Sequence, residues 1–391
     1  MKYKLTLVGF FLAVVSNLFA QSSIESVTEA LAGAGFADVR AVETTDALIV
    51  TVENDSYKLQ AYGIDAALDI IDSTYAGGRE KRLIATYYGV PQVLLTYDNA
   101  AGKWKSTYRL GDNWKKVKKA EKLNGSVSHV NLVFYPQISL KNLIINQVYQ
   151  SLWTVNPALE YSPLPGMKLT AQIRVPLFND GYGYLHDEVH PGFITLSQRF
   201  RVGGNVNLFG RATIGTFSAD QYGIALDLMR PFRNERFSAE AAVAYVGTGY
   251  WYRFTYHYDR TMMLVGNVAL NYYWPRLGTT FTLRGSRYLG GDWGAKFEMT
   301  RHFKHCSIGF YAMKGLGDAN TNGGFRFSIA LPPYHNKRFM GVAKFDTGNI
   351  GMIYNANNEQ YYYREFKTEV SDNIFEHNGF NPYYINKVIN R

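Results

Sequence analysis

The sequence has little cysteine and, after its N-terminus, no long apolar run. The 391-residue chain contains one cysteine, Cys306, which excludes a disulfide framework within the chain. No stretch of about 18 apolar residues occurs after the first 20 residues, which excludes a membrane-spanning helix there. Any membrane role would therefore require a closed β-barrel, because in lipid only helices and closed barrels satisfy all backbone polar groups.

The first 20 residues have the pattern of a secretory signal peptide. Lys2 and Lys4 precede an apolar run from Leu5 to Val15, and the following short segment ends in Ala20. The run is too short for a membrane anchor, and the polar residues 21–23 come directly after it. The pattern predicts a signal peptide at residues 1–20 and export from the cytoplasm. No cysteine lies at the predicted cleavage point, so a lipid-anchored mature end is not expected.

The composition is rich in aromatic residues and glycine, and the chain is basic. Its 30 Tyr, 24 Phe and 36 Gly suit strands, turns and the aromatic girdles of membrane barrels. A net charge of +9 and a pI of about 9.2 predict anionic partners. For an exported protein these are envelope polymers or lipid head groups, and the sequence contains no nucleic-acid recognition motif.

The pattern of the chain divides it into regions. Residues 21–100 read as α-β-β-α-β-β, which predicts a small α+β module, in the periplasm if the chain is exported. Residues 101–124 are crowded with lysine and predict a basic connector. The stretch is read as a solvated connector or the exposed end of a strand pair, or alternatively as a segment that docks to an acidic polymer or lipid head groups. Residues 125–370 predict a transmembrane antiparallel β-barrel, and residues 371–391 a C-terminal tail beyond the last strand.

Alternation of apolar and polar residues dominates the predicted barrel. Residues 250–259 read as one strand, with Tyr250, Tyr252 and Tyr256 on a lipid face and Arg253 and His257 on a lumen face. Strand segments of about ten residues separated by turn signals predict roughly 14 strands, within a range of about 12–16. A soluble β-sandwich has the same period, but aromatic residues near strand ends and the signal peptide favour a barrel in the bacterial outer membrane.

No constellation in the sequence predicts catalysis, a cofactor or a metal. His302 and His305 would point to opposite faces of a strand, and His186, Asp187, Glu188 and His190 fit a polar loop tip better than a cation site. No nucleophile-elbow motif occurs. We therefore expect no catalytic residue and no metal ligand.

The arginines on the polar faces are the strongest functional signal. A ring of guanidinium groups in a barrel lumen attracts carboxylates and phosphates. An acidic polysaccharide would suit such a lumen, although Arg–Glu pairs that only satisfy one another in a plugged barrel are an open alternative. The residues predicted to face the lumen and contact a polymer are Arg174, Arg199, Arg201, Arg211, Arg253, His257 and Arg326.

Two runs of sequence carry a resemblance to a known family. The first comprises residues 31–36, Val39, residues 48–54 and Tyr57, and the second residues 285–294 and 301–303. Together they resemble the YjbH-like family of outer-membrane exopolysaccharide-biosynthesis proteins, in a shorter, single-barrel form without a lipid-attachment cysteine. The motif residues of the second run are Arg287, Tyr288, Asp292, Gly294, Arg301 and Phe303.

The resemblance implies an outer-membrane lipoprotein or barrel that acts in the production or export of an exopolysaccharide, and it does not settle the biochemical step. Together with the absence of catalytic motifs, it predicts a non-catalytic outer-membrane barrel that assists exopolysaccharide or capsule biosynthesis or export. Its expected partners are membrane lipid, an anionic polysaccharide and envelope export proteins. A general porin-like channel is an alternative. A surface hydrolase acting on lipid or glycan is a further one, for which His257 is the candidate residue.

Overall fold

A computed structural model of the chain describes residues 24–143, 147–316, 321–355, 365–370 and 379–390. The predicted signal peptide lies outside these residues. The described chain forms two sheets, a five-stranded sheet in an N-terminal module and a large sheet that closes into a barrel. None of the helices in the described ranges is long and apolar enough to cross a membrane.

The module combines one sheet with helices that cover it. The sheet has the order β1-β2-β3-β4-β5, with β2 and β3 parallel and the other neighbours antiparallel. Leu31, Ile64, Ile71 and Leu83 form part of a buried core between sheet and helices, so the predicted α-β-β-α-β-β order is confirmed. The elements are α1 (24–33), β1 (Ala37–Glu43), β2 (Ala47–Glu53), α2 (Gln60–Thr74), β3 (Glu80–Tyr87), β4 (Val90–Asp98), β5 (Lys103–Thr107) and α3 (Asn113–Val117).

The basic stretch 101–124 is part of this module, so its prediction as a connector is wrong, and the alternative of a strand pair with an exposed end comes closer. β5 pairs with β4 and adds a fifth strand, on which Trp104 is buried while its neighbours Lys103 and Lys105 are exposed. α3 buries Val117 against the second face of the sheet. The many lysines hide the alternation of buried and exposed residues in the sequence. Their charged ends stay in solvent, while the single apolar residues between them reach the core.

The described part of the C-terminal tail, residues 379–390, is also part of the module. Helix α4 (Pro382–Ile389) packs against α2 and β5, and it buries Ile385 and Val388 in the core of the module. Asn381 caps the helix by accepting from the backbone N–H groups of Tyr383 and Tyr384. The segment lies beyond the last described strand, as predicted, and it folds onto the module because residues at helical spacing give it a buried face.

The barrel is closed and has 13 strands in the described part of the chain, within the predicted range. Consecutive strands from β6 to β17 pair antiparallel, and β19 follows β17 and closes the ring by pairing parallel to β6. β18 pairs with the first part of the same edge of β6. The strands are β6 (Val130–Leu143), β7 (Gln147–Tyr161), β8 (Met167–Asp180), β9 (His190–Val202), β10 (Leu208–Phe217), β11 (Gln221–Pro231), β12 (Phe237–Tyr252), β13 (Thr255–Trp274), β14 (Thr279–Arg287), β15 (Trp293–His302), β16 (Cys306–Gly315), β17 (Asn322–Ile329), β18 (Ala343–Thr347) and β19 (Ile350–Asn355).

The side chains of the barrel are arranged in the reverse of a soluble protein. Apolar residues such as Leu177 and Val268, each 64% exposed, point outward, while Lys168 and Thr170 are almost completely buried inside. This follows from strand alternation, because one face of every strand must line the ring's interior. The polar faces read from the sequence are thus the inner faces.

The module lies against one end of the barrel, which we call the module end. Arg201, at the end of β9, donates to the backbone oxygens of Pro91 and Gln92 at 3.0 and 2.8 Å. Glu235, in the turn after β11, accepts from the N–H of Tyr108 at 2.9 Å. We call the opposite end, which includes the turn between β12 and β13, the far end.

Residues 250–259 form a hairpin, so the prediction of a single strand is wrong. β12 ends at Tyr252, a two-residue turn holds Arg253 and Phe254, and β13 begins at Thr255. Such turns usually carry Asn or Gly, which tolerate positive φ, whereas here Arg253 takes a φ of 52°. Because no Asn or Gly marks the turn, the alternating patterns of the two strands read as one continuous strand in the sequence.

Candidate functional site

The lumen of the barrel is the main candidate site. It contains a cavity of about 980 Å³, lined by residues from the strands, from the module and from the segment Glu365–Val370. That segment comes after the last described strand and lies inside the ring, where it is neither strand nor helix. Its side chains meet two groups of charged residues on the wall.

The first group, the β7–β11 cluster, surrounds Glu369. Oε2 of Glu369 lies 3.1 Å from Nζ of Lys168, accepts from Nη2 of Arg199 at 2.6 Å and lies 3.4 Å from Nη1 of Arg211. Two carboxylates of the wall complete the cluster. Glu160 is 3.9 Å from Lys168, and Asp227 accepts from Arg211 at 2.8 Å.

The second group, the β12–β17 cluster, surrounds Glu365 and Glu298. Nζ of Lys296 lies 2.7 Å from Glu365 and 3.1 Å from Glu298. Arg326 donates to Glu298 at 3.2 Å, and Arg284 lies 3.4 Å from Glu240. The two clusters occupy different walls, so the segment reaches across the lumen.

The two clusters have the same charge pattern. Each contains three cations and two carboxylates from the wall, together with one carboxylate from the segment Glu365–Val370. The wall members of each cluster therefore carry one surplus positive charge, which Glu369 or Glu365 neutralises. A buried charge is tolerated only when it is paired in this way.

Apolar and backbone contacts fix the middle of the segment. Phe366 stacks on Phe217 of β10, with ring centroids 5.8 Å apart and planes inclined by 15°. Ser218 exchanges two hydrogen bonds with Lys367, one from each backbone N–H. These contacts hold the segment between the two clusters.

The predicted lumen residues fall into two sets. Arg174, Arg199, Arg211 and Arg326 line the lumen cavity, and the last three belong to the charge clusters. Their place in the lumen could be predicted from alternation.

The other three predicted residues lie elsewhere. Arg201 binds the module, and it also donates to Asn207 at 2.6 Å. Arg253 is at the exposed tip of the far-end hairpin, where it pairs with Glu188 at 3.0 Å. His257 is exposed and stacks on Tyr250, with centroids 5.3 Å apart. For Arg253 and His257 the lumen prediction is wrong, because the hairpin extends beyond the paired part of the ring.

The residues of the family-like motif build the connection between β14 and β15. The N–H of Tyr288 donates to the carbonyl of Asp292 at 2.8 Å, and the Tyr288 side chain is buried. A Cβ at Gly294 would lie 2.6 Å from the ring of Tyr288 and from the carbonyl of Lys314, so only glycine fits there. Arg287, at the end of β14, pairs in the sheet with Trp293.

The remaining motif residues, Arg301 and Phe303, lie at the module end of β15. The guanidinium of Arg301 is 5.2 Å from the ring centre of Phe303, and both side chains are exposed. The motif residues thus form the turn between β14 and β15 and a contact between Arg301 and Phe303 at the module end. None of them belongs to the two charge clusters of the lumen.

Sequence reasoning named three of the twelve cluster members, Arg199, Arg211 and Arg326, and missed the other nine. Lys168 lies on a polar face of the alternating pattern, but Glu365 and Glu369 follow the last described strand, where no periodicity indicates their position. His302, weighed as a metal ligand, lies 3.2 Å from both Thr280 and Ser307 hydroxyls. Among the described residues, no group of three or more His, Cys, Asp or Glu side chains could hold a metal ion.

A separate polar cavity of about 160 Å³ lies between the module and the barrel. Glu53 lines it and accepts from the N–H of Gly89 at 2.7 Å. Burial raises the pKa of Glu53 to about 7, although the Gly89 hydrogen bond acts in the opposite direction. Asp55, in the same cavity, is bound by Arg338.

Comparison of the chain with protein-family models, with curated proteins and with solved structures gave no match. The resemblance of its two sequence runs to the YjbH-like family therefore stays a prediction.

Proposed function

We propose that this protein is a bacterial outer-membrane β-barrel that assists the biosynthesis or export of an anionic exopolysaccharide or capsule. The observation that carries the proposal is the reversed barrel, with apolar side chains outside and a cationic wall inside. Its module lies on the periplasmic side, and its role is non-catalytic. The resemblance of its motifs to the YjbH-like family supports the same function.

The outer surface supports a membrane location. Leu264, Val268, Leu270 and Leu283 on neighbouring strands are each exposed by more than two fifths. Contiguous apolar surface of this kind is rare on soluble monomers, because exposure costs about 25 cal/mol per Å². A lipid bilayer removes that cost, and the buried polar interior then faces a wet lumen.

The inner wall supports an anionic passenger. The wall members of each charge cluster carry one surplus positive charge, which a carboxylate of the segment Glu365–Val370 neutralises, and Arg174 adds another positive side chain to the lining. Guanidinium groups bind carboxylates with two parallel hydrogen bonds, which suits the uronate groups of acidic polysaccharides. The module, docked at one end of the lumen, offers a surface for envelope export proteins.

Two measurements test this function. The mature protein should fractionate with the outer membrane and migrate differently in detergent gels before and after heating. Deletion of its gene in the native host should abolish or strongly reduce an acidic surface polymer, and re-expression should restore it. A soluble protein, or an unchanged polymer in the deletion strain, would contradict the proposal.

The lumen cavity favours a second candidate, a porin-like channel for small solutes. A cavity of about 980 Å³ leaves room for small solutes beside the segment Glu365–Val370. Planar-bilayer recording separates the two functions. Steady open conductance of the unmodified protein supports the channel, whereas a closed baseline supports the assisting role.

A further inference from the structure

Three cations from adjacent strands converge on one oxygen atom in the lumen. Lys168 of β8, Arg199 of β9 and Arg211 of β10 all lie within 3.4 Å of Oε2 of Glu369. A carboxylate oxygen that receives three cationic side chains is far better coordinated than an ordinary ion pair requires. The wall therefore has the geometry of a site for a carboxylate group.

The site is buried and partly aromatic. Lys168 is 2% exposed, and the side chain of Glu369 is fully buried. Two residues at the end of the module sheet contribute rings, since Tyr87 lies 5.2 Å from the guanidinium of Arg199 and Tyr88 lies 5.9 Å from Nζ of Lys168. Cations beside tyrosine rings suit an acidic sugar, because the charge binds the carboxylate and the ring can cover an apolar sugar face.

The present occupant of this site belongs to the same chain but not to the barrel wall. Glu369 lies on the segment Glu365–Val370, which takes no part in the strand pairing of the described chain. Without Glu369, the wall members keep three cations against Glu160 and Asp227. An anion of another molecule can therefore replace Glu369 without leaving any wall carboxylate unpaired.

We propose that Lys168, Arg199 and Arg211 form a binding site for the carboxylate of a uronic acid residue, and that Glu369 is a displaceable internal ligand of this site. The inference rests on the proposed function, in which the lumen meets an anionic polysaccharide. It adds the location of one sugar subsite and the element of the chain that regulates it.

The tether of Glu369 explains how such a site can be regulated. Helix α4, which begins at Pro382, packs on the module and anchors the chain that follows Glu369. Glu369 therefore stays close to the site even when another anion displaces it. A tethered competitor has a high effective concentration. Single acidic sugars therefore bind weakly, whereas a polymer that contacts several lumen cations competes well.

The test compares ligand binding to full-length, detergent-solubilised variants. The probes are trigalacturonate and the neutral trisaccharide maltotriose, both measured by titration calorimetry. We expect Glu369→Gln to bind trigalacturonate about tenfold more tightly than the unmodified protein, since one competing charge-assisted contact is removed. Binding of maltotriose should not change. Glu121→Gln, at an exposed position of the module, is the matched control and should leave both affinities unchanged.

Two further variants guard against a folding defect. Glu369→Asp keeps the charge but shortens the side chain, so it should show a smaller gain in affinity for trigalacturonate without leaving the cations unpaired. The double variant Arg199→Gln with Glu369→Gln should show no gain in this affinity. The inference is overturned if neither Glu369 variant gains affinity, or if the gain survives loss of Arg199.

These outcomes are independent of the test of the proposed function. If trigalacturonate binds as expected but gene deletion leaves the surface polymer unchanged, the site stands and the export role fails. If deletion abolishes the polymer but the Glu369 variants bind no better, the role stands and this subsite fails.

Discussion

Glu53 should make the stability of the module depend on pH. It is the last residue of β2, it is 9% exposed, and its pKa rises to about 7 because burial disfavours the charged form. The carboxylates of Asp38 and Asp55 raise it further, while Gly89 and Ser126 oppose the change by hydrogen bonding. Glu53→Gln removes the titration and keeps an oxygen that can accept from Gly89.

The sign follows from proton binding. Between pH 4.5 and about 7 the folded module holds a proton on Glu53 that the unfolded chain has lost, so the free energy of unfolding falls as pH rises. At about 1.4 kcal/mol per pH unit, the loss reaches about 3 kcal/mol above pH 7. The free energy of unfolding of the Glu53→Gln variant should therefore equal that of the unmodified protein near pH 4.5 and exceed it by about 3 kcal/mol at pH 8.

Hydrogen exchange of β2 and β3 peptides, followed by mass spectrometry in detergent micelles from about pH 5 to pH 8, measures this difference. Burial lowers the pKa of His129 in the same cavity, which adds a pH dependence of opposite sign. Subtracting the Glu53→Gln profile from the unmodified one cancels that contribution. Parallel profiles for the two proteins would refute the reasoning. Glu121→Gln should reproduce the unmodified profile.

Three further predictions concern packing, lipid and the lumen. Ile385→Ala should destabilise the module by about 2–5 kcal/mol, seen as faster exchange in α2, whereas exposed Lys387→Ala should have little effect. Val268→Lys on the outer face should cost about 2–4 kcal/mol and lower the folded fraction in lipid vesicles; an unchanged fraction would argue against a lipid-facing surface. Lys296→Met leaves Glu298 short of a buried partner and should cost about 3–5 kcal/mol, seen as a lower temperature of the gel-mobility transition; an unchanged temperature would show that Lys296 is dispensable for the cluster.

Period-two alternation, together with the aromatic strand ends and the predicted signal peptide, was sufficient to predict the barrel. Alternation also predicted the inner position of four of the six arginines assigned to the lumen. Strand geometry is local, so residues such as Arg199 and Arg211 reach the lumen whatever the rest of the chain does. The same reasoning failed at Arg253, because a two-residue turn without glycine or asparagine has no local signature.

The pairing inside the lumen could not be predicted from the sequence. Glu369 is 170 residues from Arg199, and the contact depends on where the chain runs after its last strand. The tail helix was missed for the same reason, since Ile385 finds its partners on α2 and β5, far away in sequence. Long-range contacts of this kind follow from topology and not from local pattern.

The odd strand number explains why the chain enters its own lumen. With 13 strands in the described part of the chain, the first and last of them run in the same direction, so β19 pairs parallel to β6 and ends at Asn355, at the far end. The partner surface for helix α4 lies on the module, at the other end of the barrel. In the proposed membrane location, a chain that passes from the far end to the module end has two routes, through lipid or through the lumen. Residues with carboxylates are excluded from lipid by the cost of burying charge, and Glu365 and Glu369 instead meet the surplus cations of the wall. The occupied lumen is thus a consequence of closing an odd-stranded barrel whose C-terminal helix belongs to its N-terminal module.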